Sequence, residues 1–285
     1  MKKIKKQFAN AISFIGLKFY FRLAYFHNRG KWLHLKNPTN LSEFIITQKV
    51  SGEINKYAIY ADKYRVRDYV TEKGLSHILT KLYGCWTNAN DINFNTLPNQ
   101  FVLKQNAGCK LNIICFDKTK LDIHETRRKL NKWMQMKVFA RTEPHYDRIK
   151  KCIIAEELIQ DDNKLNVAPI DYKFMCINGT PHHILIVSER KDSFYKLYTY
   201  STKWDKLDLL TDKYKHKGNI CKPKNLDKMI EYATILAQGF QYVRVDLYDT
   251  GNKVFFGELT FTPHGGLLRY YKLEALEEMW KFGSS

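Results

Sequence analysis

Two polar side chains alternate near the end of a strand-like stretch that reads KVFFGELTFT. Glu258 and Thr260 are two positions apart, so a strand would carry both of them on one face. The surrounding residues are mainly apolar, and a carboxylate that is buried among such residues without a partner is strongly destabilising. Glu258 therefore needs either a cationic side chain or a metal ion beside it.

A second alternating stretch, YVRVDLY, precedes the first by a short turn and carries Arg244 and Asp246 on one face. A three-residue turn at 250–252 would place Arg244 directly opposite Glu258, with Asp246 and Thr260 on the same face. This face is either the ion-paired surface of an edge hairpin or a divalent-metal site, because oxygen ligands on a rigid surface suit Mg²⁺.

A third candidate is Lys104, which ends the strand-like stretch QFVLK and precedes a loop that contains Gly108. A lysine beside the free backbone N–H groups of a glycine loop is a phosphate-binding arrangement. An exposed lysine next to an ordinary turn would give the same pattern. The residues alone leave both interpretations open.

Helix and strand patterns alternate along the chain and predict a mixed α and β fold. The stretch 225–239 has apolar residues at helical spacing, with Asn225 able to cap its start and Gly239 at its end. Two strand-like runs meet at Asn178-Gly179, a dipeptide that is typical of a tight hairpin turn. We find no internal repeat and no low-complexity linker.

The composition sets the general class of the protein. The chain has 285 residues, of which 44% are hydrophobic and 27% charged, so it predicts one large globular domain or two close subdomains. A formal net charge of +18 indicates a polyanionic partner: nucleic acid, an anionic membrane or an acidic substrate. The six cysteines include no CxxC pair, which fits a reducing cytosol, and no apolar run is long enough to span a membrane.

Six short motifs, taken in order, resemble those of ATP-grasp enzymes: ADK, FVLK, AEEL, DYKF, RVD and GELTFTP. The longer stretches NPTNLSEF, ADKYRVRDYV, LPNQFVLKQNAG and VRVDLYDTGNKVFFGELTFTP make the chain most similar to the TupA-like ATP-grasp family, which is associated with cell-surface polymer biosynthesis. The resemblance covers about residues 37–266. It implies an α+β ATP-grasp fold in a catalytic domain at 37–285, with two α+β subdomains, about 75–155 and 156–285, that grip ATP.

The resemblance also implies a set of nucleotide ligands. They are two lysines for the phosphates, a loop at 106–112 that closes over them, a hinge backbone for adenine and a carboxylate for ribose: Lys63 and Lys104; Asn106, Gly108 and Lys110; Glu156, Glu157 and Leu158; and Asp162. The family loop tends to read N-H-G-S-G, whereas this chain reads NAGCK, so a lysine replaces the second glycine.

Further roles are implied for the residues that would act on the transferred phosphoryl group. Lys173 would reach the γ-phosphate, and Arg244 would steady the phosphoryl group in transit. Asp246 and Glu258 would bind Mg²⁺, with Glu258 bridging two ions. Thr260 stands where many ATP-grasp enzymes have an asparagine ligand.

The implied activity is ATP-dependent joining of a carboxylate to an amine through an acyl phosphate, with no covalent enzyme intermediate. The acid would belong to a sugar that is nucleotide-, lipid- or polymer-linked, and the partner would be an amine or amino acid. Two alternatives stay open. A nucleic-acid-binding module would suit the charge but lacks a recognised motif, and a glycosyltransferase of polysaccharide assembly would need a clear D-x-D motif.

The first 36 residues form a basic segment with a helical pattern, since no acid occurs before Glu43. Its apolar stripe recurs at three and four residues: Ile4, Phe8, Ile12, Ile15, Phe19, Leu23 and Phe26. Such a helix either lies on an anionic membrane surface or packs onto the catalytic domain. Polar interruptions and the lack of a small-residue cleavage site argue against an export signal, so we expect a cytoplasmic protein, free or on the inner face of the membrane.

Overall fold

The computed structural model describes residues 16–136, 142–160, 169–191 and 194–283. The helices in these residues are α1 Leu17–Arg29, α2 Leu41–Ser51, α3 Ala58–Ala61, α4 Val66–Glu72, α5 Ile123–Gln135, α6 Leu226–Ala237 and α7 Leu273–Phe282. The strands are β1 Leu82–Trp86, β2 Phe101–Gln105, β3 Asn112–Cys115, β4 Ile153–Glu156, β5 Asp171–Ile177, β6 Thr180–Lys191, β7 Phe194–Tyr200, β8 Tyr242–Asp249 and β9 Val254–Thr260.

The first sheet has four strands in the order β1-β4-β2-β3, and every neighbouring pair is antiparallel. Along β2, Phe101 and Leu103 are fully buried in the same cluster as Leu130 of α5. Lys104 occupies the alternate face of the strand and is partly exposed. The alternation therefore gives this sheet a core side under α5 and a second side that carries Lys104.

The second sheet has five strands in the order β7-β6-β5-β8-β9, again antiparallel throughout. The predicted hairpin turn between β5 and β6 is confirmed, since Asn178 and Gly179 have φ angles of 47° and 79°. One side of this sheet packs against α6 through residues such as Val243 and Val245. The other side packs partly under α7, and its remaining part carries the polar residues of β8 and β9.

The predicted helix at 225–239 is confirmed as α6, and its apolar stripe is buried. The predicted position of the cap is confirmed, but the predicted capping by the Asn225 side chain is not observed. Asn225 stands at the N-cap position, but its side-chain amide donates to Asp249 Oδ1 at 2.8 Å and to the Gly251 carbonyl at 3.2 Å. The side chain therefore fixes the turn between β8 and β9 instead of capping the helix.

The pairing predicted for β8 and β9 is wrong in register. Asp249 lies opposite Val254 and not opposite Lys253, because the turn contains four residues instead of three. A bulge then displaces the pairing by one more residue. As a result, Arg244 lies opposite Thr260 in the sheet and not opposite Glu258 as predicted.

The bulge lies at Gly257 and reverses which residues of β9 face the core. Phe256 before it and Leu259 after it both belong to the same core cluster, although they are an odd number of positions apart. Without the bulge, Glu258 would point toward the core with Phe256. A Cβ on Gly257 would lie 2.9 Å from the Asp246 carbonyl oxygen, which explains the glycine.

Helix α1 packs against α2 and against the segment that follows β9. Phe21 and Tyr25 are each 1% exposed and cluster with Ile46 of α2 and with Leu267. The part of the predicted basic segment at residues 1–15 lies outside the described residues. Among the helices that are described, none has the length and apolar character needed to cross a membrane.

The packed side of α1 is not the predicted stripe. Phe19, Leu23 and Phe26 are exposed by 50%, 46% and 42%, whereas the buried residues are Phe21 and Tyr25. The alternative in which the predicted stripe packs onto the domain is therefore wrong for the part of the stripe that is described.

Candidate active site

Arg244 links the polar side chains of the β8–β9 hairpin. Its Nε and Nη2 atoms donate to the two carboxylate oxygens of Asp246 at 2.6 and 2.7 Å. Nη2 also donates to Glu258 Oε1 at 3.2 Å and to Thr260 Oγ1 at 3.0 Å. The Thr260 hydroxyl donates to Glu258 Oε1 at 2.9 Å. The four side chains that the sequence placed on one face are thus in direct contact.

Two lysines complete this cluster from other elements. Lys173 on β5 lies opposite Asp246 in the sheet and contacts its Oδ2 atom, and it also lies 2.7 Å from Asp171 Oδ2. Lys63, which follows α3, has its Nζ atom 3.2 Å from Glu258 Oε2. With the arginine, three cations therefore face three carboxylates, so the cluster is close to neutral overall.

The two carboxylates of the hairpin differ in their electrostatics. Burial works to raise the pKa of Glu258, but Lys63, Arg244 and Lys173 outweigh it and hold that pKa well below its usual range. Burial raises the pKa of Asp246, against the opposing effect of Arg244 and Lys173. The Glu258 side chain is 33% exposed and that of Asp246 only 2%, so Glu258 is the carboxylate more open to a ligand.

A second ion-paired group lies beside the first sheet. Lys104 Nζ is 2.6 Å from Glu156 Oε2, and Arg67 Nη1 is 3.3 Å from Glu156 Oε1. Arg67 also donates to the Thr80 carbonyl at 2.7 Å. All these residues line one small cavity with Lys63 and the start of the β9 bulge. Our sequence analysis missed Arg67, although its place four residues after Lys63 was visible in the motif ADKYRVRDYV.

The side chain of Asn106 holds the glycine loop in place from beneath. It is fully buried, and its amide donates to Asp62 Oδ1 at 2.9 Å and to the Lys150 carbonyl at 3.1 Å. Its oxygen accepts from the Cys152 N–H at 2.8 Å. The structure therefore places Asn106 as a support of the loop, with its side-chain amide turned away from solvent.

The lysine that replaces the second loop glycine keeps a glycine-like backbone. Lys110 has φ 63° and Gly108 has φ 85°, a region that residues with a Cβ adopt only at a cost of about 1–2 kcal/mol. Lys63 Nζ donates to the Gly108 carbonyl at 2.8 Å and so links the loop to the cluster at Glu258. The exposed Cys109 lies close enough to Glu258 that the carboxylate, after burial, contributes to a raised thiol pKa.

A cavity of about 440 Å³ lies where the two sheets meet. One wall is the segment that leaves β4, with Glu157 and Leu158, and the opposite wall is the β8–β9 turn with Lys253 and Phe255. Glu157 is fixed there because its N–H donates to the Lys81 carbonyl at 2.9 Å. The predicted ribose ligand, Asp162, lies outside the described residues.

The turn Pro263–Gly266, which follows β9, is held by a buried ion pair that sequence reasoning also missed. Lys49 Nζ donates to the Gly265 carbonyl at 2.7 Å and lies 3.2 Å from Glu143 Oε1. The Thr262 hydroxyl donates to Glu143 Oε2 at 2.6 Å. The segment that follows β9 is therefore anchored to helix α2.

His264 projects from this turn with φ 50°, and its ring meets Tyr270 edge-on at 4.5 Å. Burial, then the positive charges of Arg244, Arg269 and other bases nearby, lower the pKa of His264 to about 4. At neutral pH the turn therefore presents a neutral imidazole close to the cluster around Arg244.

The oxygen donors on the hairpin fit Mg²⁺. Asp246 and Glu258 are opposite each other, and the Thr260 hydroxyl is beside them. Within the described residues there is no group of three or more His, Cys, Asp or Glu side chains able to hold a metal by themselves. Mg²⁺ commonly takes only one or two protein carboxylates and completes its shell with substrate phosphates and water, so two carboxylates suffice.

Comparison with known sequences decides the family. The sequence profile of the TupA-like ATP-grasp family matches residues 43–277. The chain belongs to the TupA-like ATP-grasp family. The predicted family and the predicted α+β ATP-grasp fold are thereby confirmed. No curated protein sequence gives a significant match.

Several solved structures are similar to this chain at low sequence identity. A D-alanine–D-alanine ligase from Bacillus anthracis has a TM-score of 0.50 at 14% identity, covering 82% of this chain and 70% of that one. The structure of that ligase complexed with ATP has a TM-score of 0.49 at 13% identity, covering 78% and 61% of the two chains. The D-cycloserine synthetase DcsG has a TM-score of 0.45 at 12% identity, covering 85% and 78%. This chain thus spans about two thirds of the ligase length.

Proposed function

We propose that this protein is an ATP-dependent carboxylate–amine ligase that releases ADP and phosphate. The observation that carries the proposal is the cluster in which Arg244 contacts both Asp246 and Glu258 while Lys63 and Lys173 face the same carboxylates. Such a cluster offers metal ligands and phosphate ligands together on rigid strands. The membership of the TupA-like ATP-grasp family supports the same activity.

In this proposal ATP lies between the two sheets, which act as the two subdomains that grip it. Adenine occupies the cavity beside Glu157 and Leu158, and the phosphates extend past Lys104 toward Glu258. This orientation is supported by the positions of the lining residues, since Glu157 and Leu158 line the larger cavity and Lys104 lines the smaller cavity together with Lys63 and Gly257. The glycine loop with Lys110 covers the phosphates, since its positive-φ backbone exposes N–H groups of the kind that bind anions.

Asp246 and Glu258 would hold Mg²⁺, which would supply charge neutralisation for the triphosphate. Thr260 supports Glu258 by donating to its Oε1 atom. Glu258 would be the carboxylate shared by two ions, because it is the more exposed of the two and its lowered pKa keeps it ionised. Lys173 and Arg244, which contact Asp246 in the same cluster, orient the γ-phosphoryl group.

The reaction has two steps. A carboxylate oxygen of the acceptor forms a bond to the γ-phosphorus while the bond to the β–γ bridging oxygen breaks, and ADP leaves. The amine nitrogen then attacks the acyl carbon, phosphate leaves, and the nitrogen loses a proton, which gives the amide. No side chain becomes a covalent intermediate, so the residues act by positioning and by electrostatic stabilisation.

The acceptor that we propose is an acidic sugar of a capsular or other bacterial surface polysaccharide, and the donor is an amine or amino acid. The net charge of +18 favours an anionic acceptor. A lipid-linked acceptor would bring the enzyme to the inner face of the cytoplasmic membrane. Nucleic acid is not a partner in this proposal.

Binding of MgATP to purified protein tests the core of the proposal. We expect MgATP to raise the melting temperature of the wild type, because a ligand that binds the folded state stabilises it. Lys104→Ala should lose most of this shift, whereas Lys228→Ala, which removes an exposed lysine from α6, should keep it. A wild-type protein that shows no shift with MgATP would refute the proposed nucleotide site.

A further inference from the structure

Helix α1 has two apolar faces, and within the part of the chain that the structure describes only one of them packs against other residues. Phe21 and Tyr25 are buried, whereas Phe19, Leu23 and Phe26 lie outward at helical spacing and are 50%, 46% and 42% exposed. Trp32, which is 61% exposed, extends the outward face because its ring stacks on that of Phe26 at 4.6 Å. We call Phe19, Leu23, Phe26 and Trp32 the outer face of α1.

The outer face is exposed on a helix that is firmly attached. Arg29 at the end of α1 donates to the carbonyls of Leu267 and Leu268 at 2.9 and 2.8 Å and to that of Tyr271 at 2.9 Å. The Tyr25 hydroxyl accepts from the Asn40 amide at 2.9 Å. Large apolar side chains on such a fixed surface indicate a binding surface, since soluble monomers rarely expose contiguous patches of this kind.

The charged residues of α1 and of the segment that directly follows it all have one sign. Lys18 and Arg22 lie beside the outer face on α1, Lys31 and Lys36 follow the helix, and all four are exposed. The first acid of the chain, Glu43, is 1% exposed and accepts hydrogen bonds from neighbouring groups. An apolar stripe with cationic flanks is the composition of a helix that lies in the interface of an anionic bilayer.

We propose that the outer face of α1 docks on an anionic lipid bilayer. The positive charge argues against two other occupants of this face, a second copy of the chain and the segment 1–15. A second copy of the chain would bring two cationic faces together. The charged side chains of residues 1–15 are all lysines, so this segment would also be repelled. The benefit of docking rests on the proposed function, because Arg29 joins α1 to the segment that follows β9, so docking would hold the site near an acceptor on the leaflet.

Flotation with vesicles tests the docking without using catalysis. The wild type should float with vesicles of phosphatidylcholine and phosphatidylglycerol, not with phosphatidylcholine alone, and release at high salt. Replacing Phe19, Leu23 and Phe26 by serine should weaken binding about tenfold or more, because the apolar contact is lost. A matched triple variant, Ile59→Ser, Ile114→Ser and Phe116→Ser, removes comparably exposed apolar residues elsewhere and should float like the wild type.

The melting temperature shows whether each variant is folded, and its shift with MgATP shows whether the nucleotide site is intact. Flotation therefore tests the docking, and the MgATP shift tests the proposed function independently. A folded wild type that ignores anionic vesicles would overturn the docking. Equal flotation by the outer-face variant would also overturn it. So would a wild-type dimer in sedimentation that the same three serines convert to a monomer, since that result would assign the face to a second copy.

Discussion

Asp246 and Glu258 lie directly opposite each other on neighbouring strands, and Arg244 donates hydrogen bonds to both. Two carboxylates in this position repel each other unless a cation lies between them. The guanidinium provides that cation, and Lys63 and Lys173 add positive charge from the sides. This pairing depends on the bulge of β9, because an unbroken strand would turn one carboxylate toward the core.

The first prediction concerns the bulge glycine. Gly257→Ala should destabilise the protein by about 1–3 kcal/mol, because the added Cβ would lie 2.9 Å from the Asp246 carbonyl oxygen. The MgATP melting shift should also fall, since Glu258 would leave its position. Urea unfolding and thermal shift measure both effects. Gly16→Ala is the control, because a Cβ there meets nothing within 4 Å. Equal behaviour of the two variants would contradict the role of the bulge.

The sequence predicted the shared face of β8 and β9 better than the pairing of the residues across it. The alternation in β8 and β9 identified the face shared by Arg244, Asp246, Glu258 and Thr260. It did not reveal the longer turn or the bulge at Gly257, because each depends on how the strands fit together. The turn and the bulge each shift the register by one residue, so the total shift is two residues. Because side chains alternate between the two faces of a strand, a shift of two leaves the same residues on the same face.

Other parts of the site depend on contacts between distant segments. Lys49 and Glu143 form a buried ion pair across nearly a hundred residues, and no local pattern joins them. Arg67 meets Glu156 only after α4 packs beside the first sheet. Asn106 belongs to the glycine-loop motif, yet its side chain is buried and bonds Asp62 and the Cys152 N–H. Sequence motifs therefore located the loop and strands but not the side chains that support them.

The second prediction tests the carboxylate that we assign to two metal ions. Glu258→Gln keeps the size of the side chain but removes its charge, so ADP formation should fall about a hundredfold or more. The variant should still fold, because Thr260 and Arg244 contact an oxygen that the amide retains. ADP release in a coupled assay and a urea titration measure the two properties. A folded variant with wild-type turnover would remove Glu258 from the metal site.

The third prediction concerns the products. An acyl-phosphate route transfers only the γ-phosphoryl group, so each amide bond should appear with one ADP and one phosphate. Candidate acids and amines can be screened in pairs by ADP release, followed by mass spectrometry of the product. Formation of AMP and pyrophosphate would show attack at the α-phosphorus and would rule out the acyl-phosphate route.

The fourth prediction is a pH dependence of stability that arises from His145. This histidine is 1% exposed, and burial together with Lys49 lowers its pKa to about 3. The unfolded chain takes up the same proton near pH 6.5, its ordinary value. Between these two values the unfolded state binds the extra proton. The stability that the neutral imidazole contributes is therefore lost as the pH falls, at up to about 1.4 kcal/mol per pH unit.

His145→Gln should remove this dependence, because glutamine does not titrate. Urea unfolding of the wild type and of the variant at pH 7, 6 and 5 should give free energies of unfolding that converge toward low pH. The other histidines with lowered pKa values, His182, His183 and His264, are present in both proteins, so the difference isolates one residue. His124→Gln replaces an exposed histidine and should parallel the wild type. Parallel curves for His145→Gln would contradict the prediction, because they would show that the imidazole takes up its proton over the same pH range in the folded and the unfolded protein.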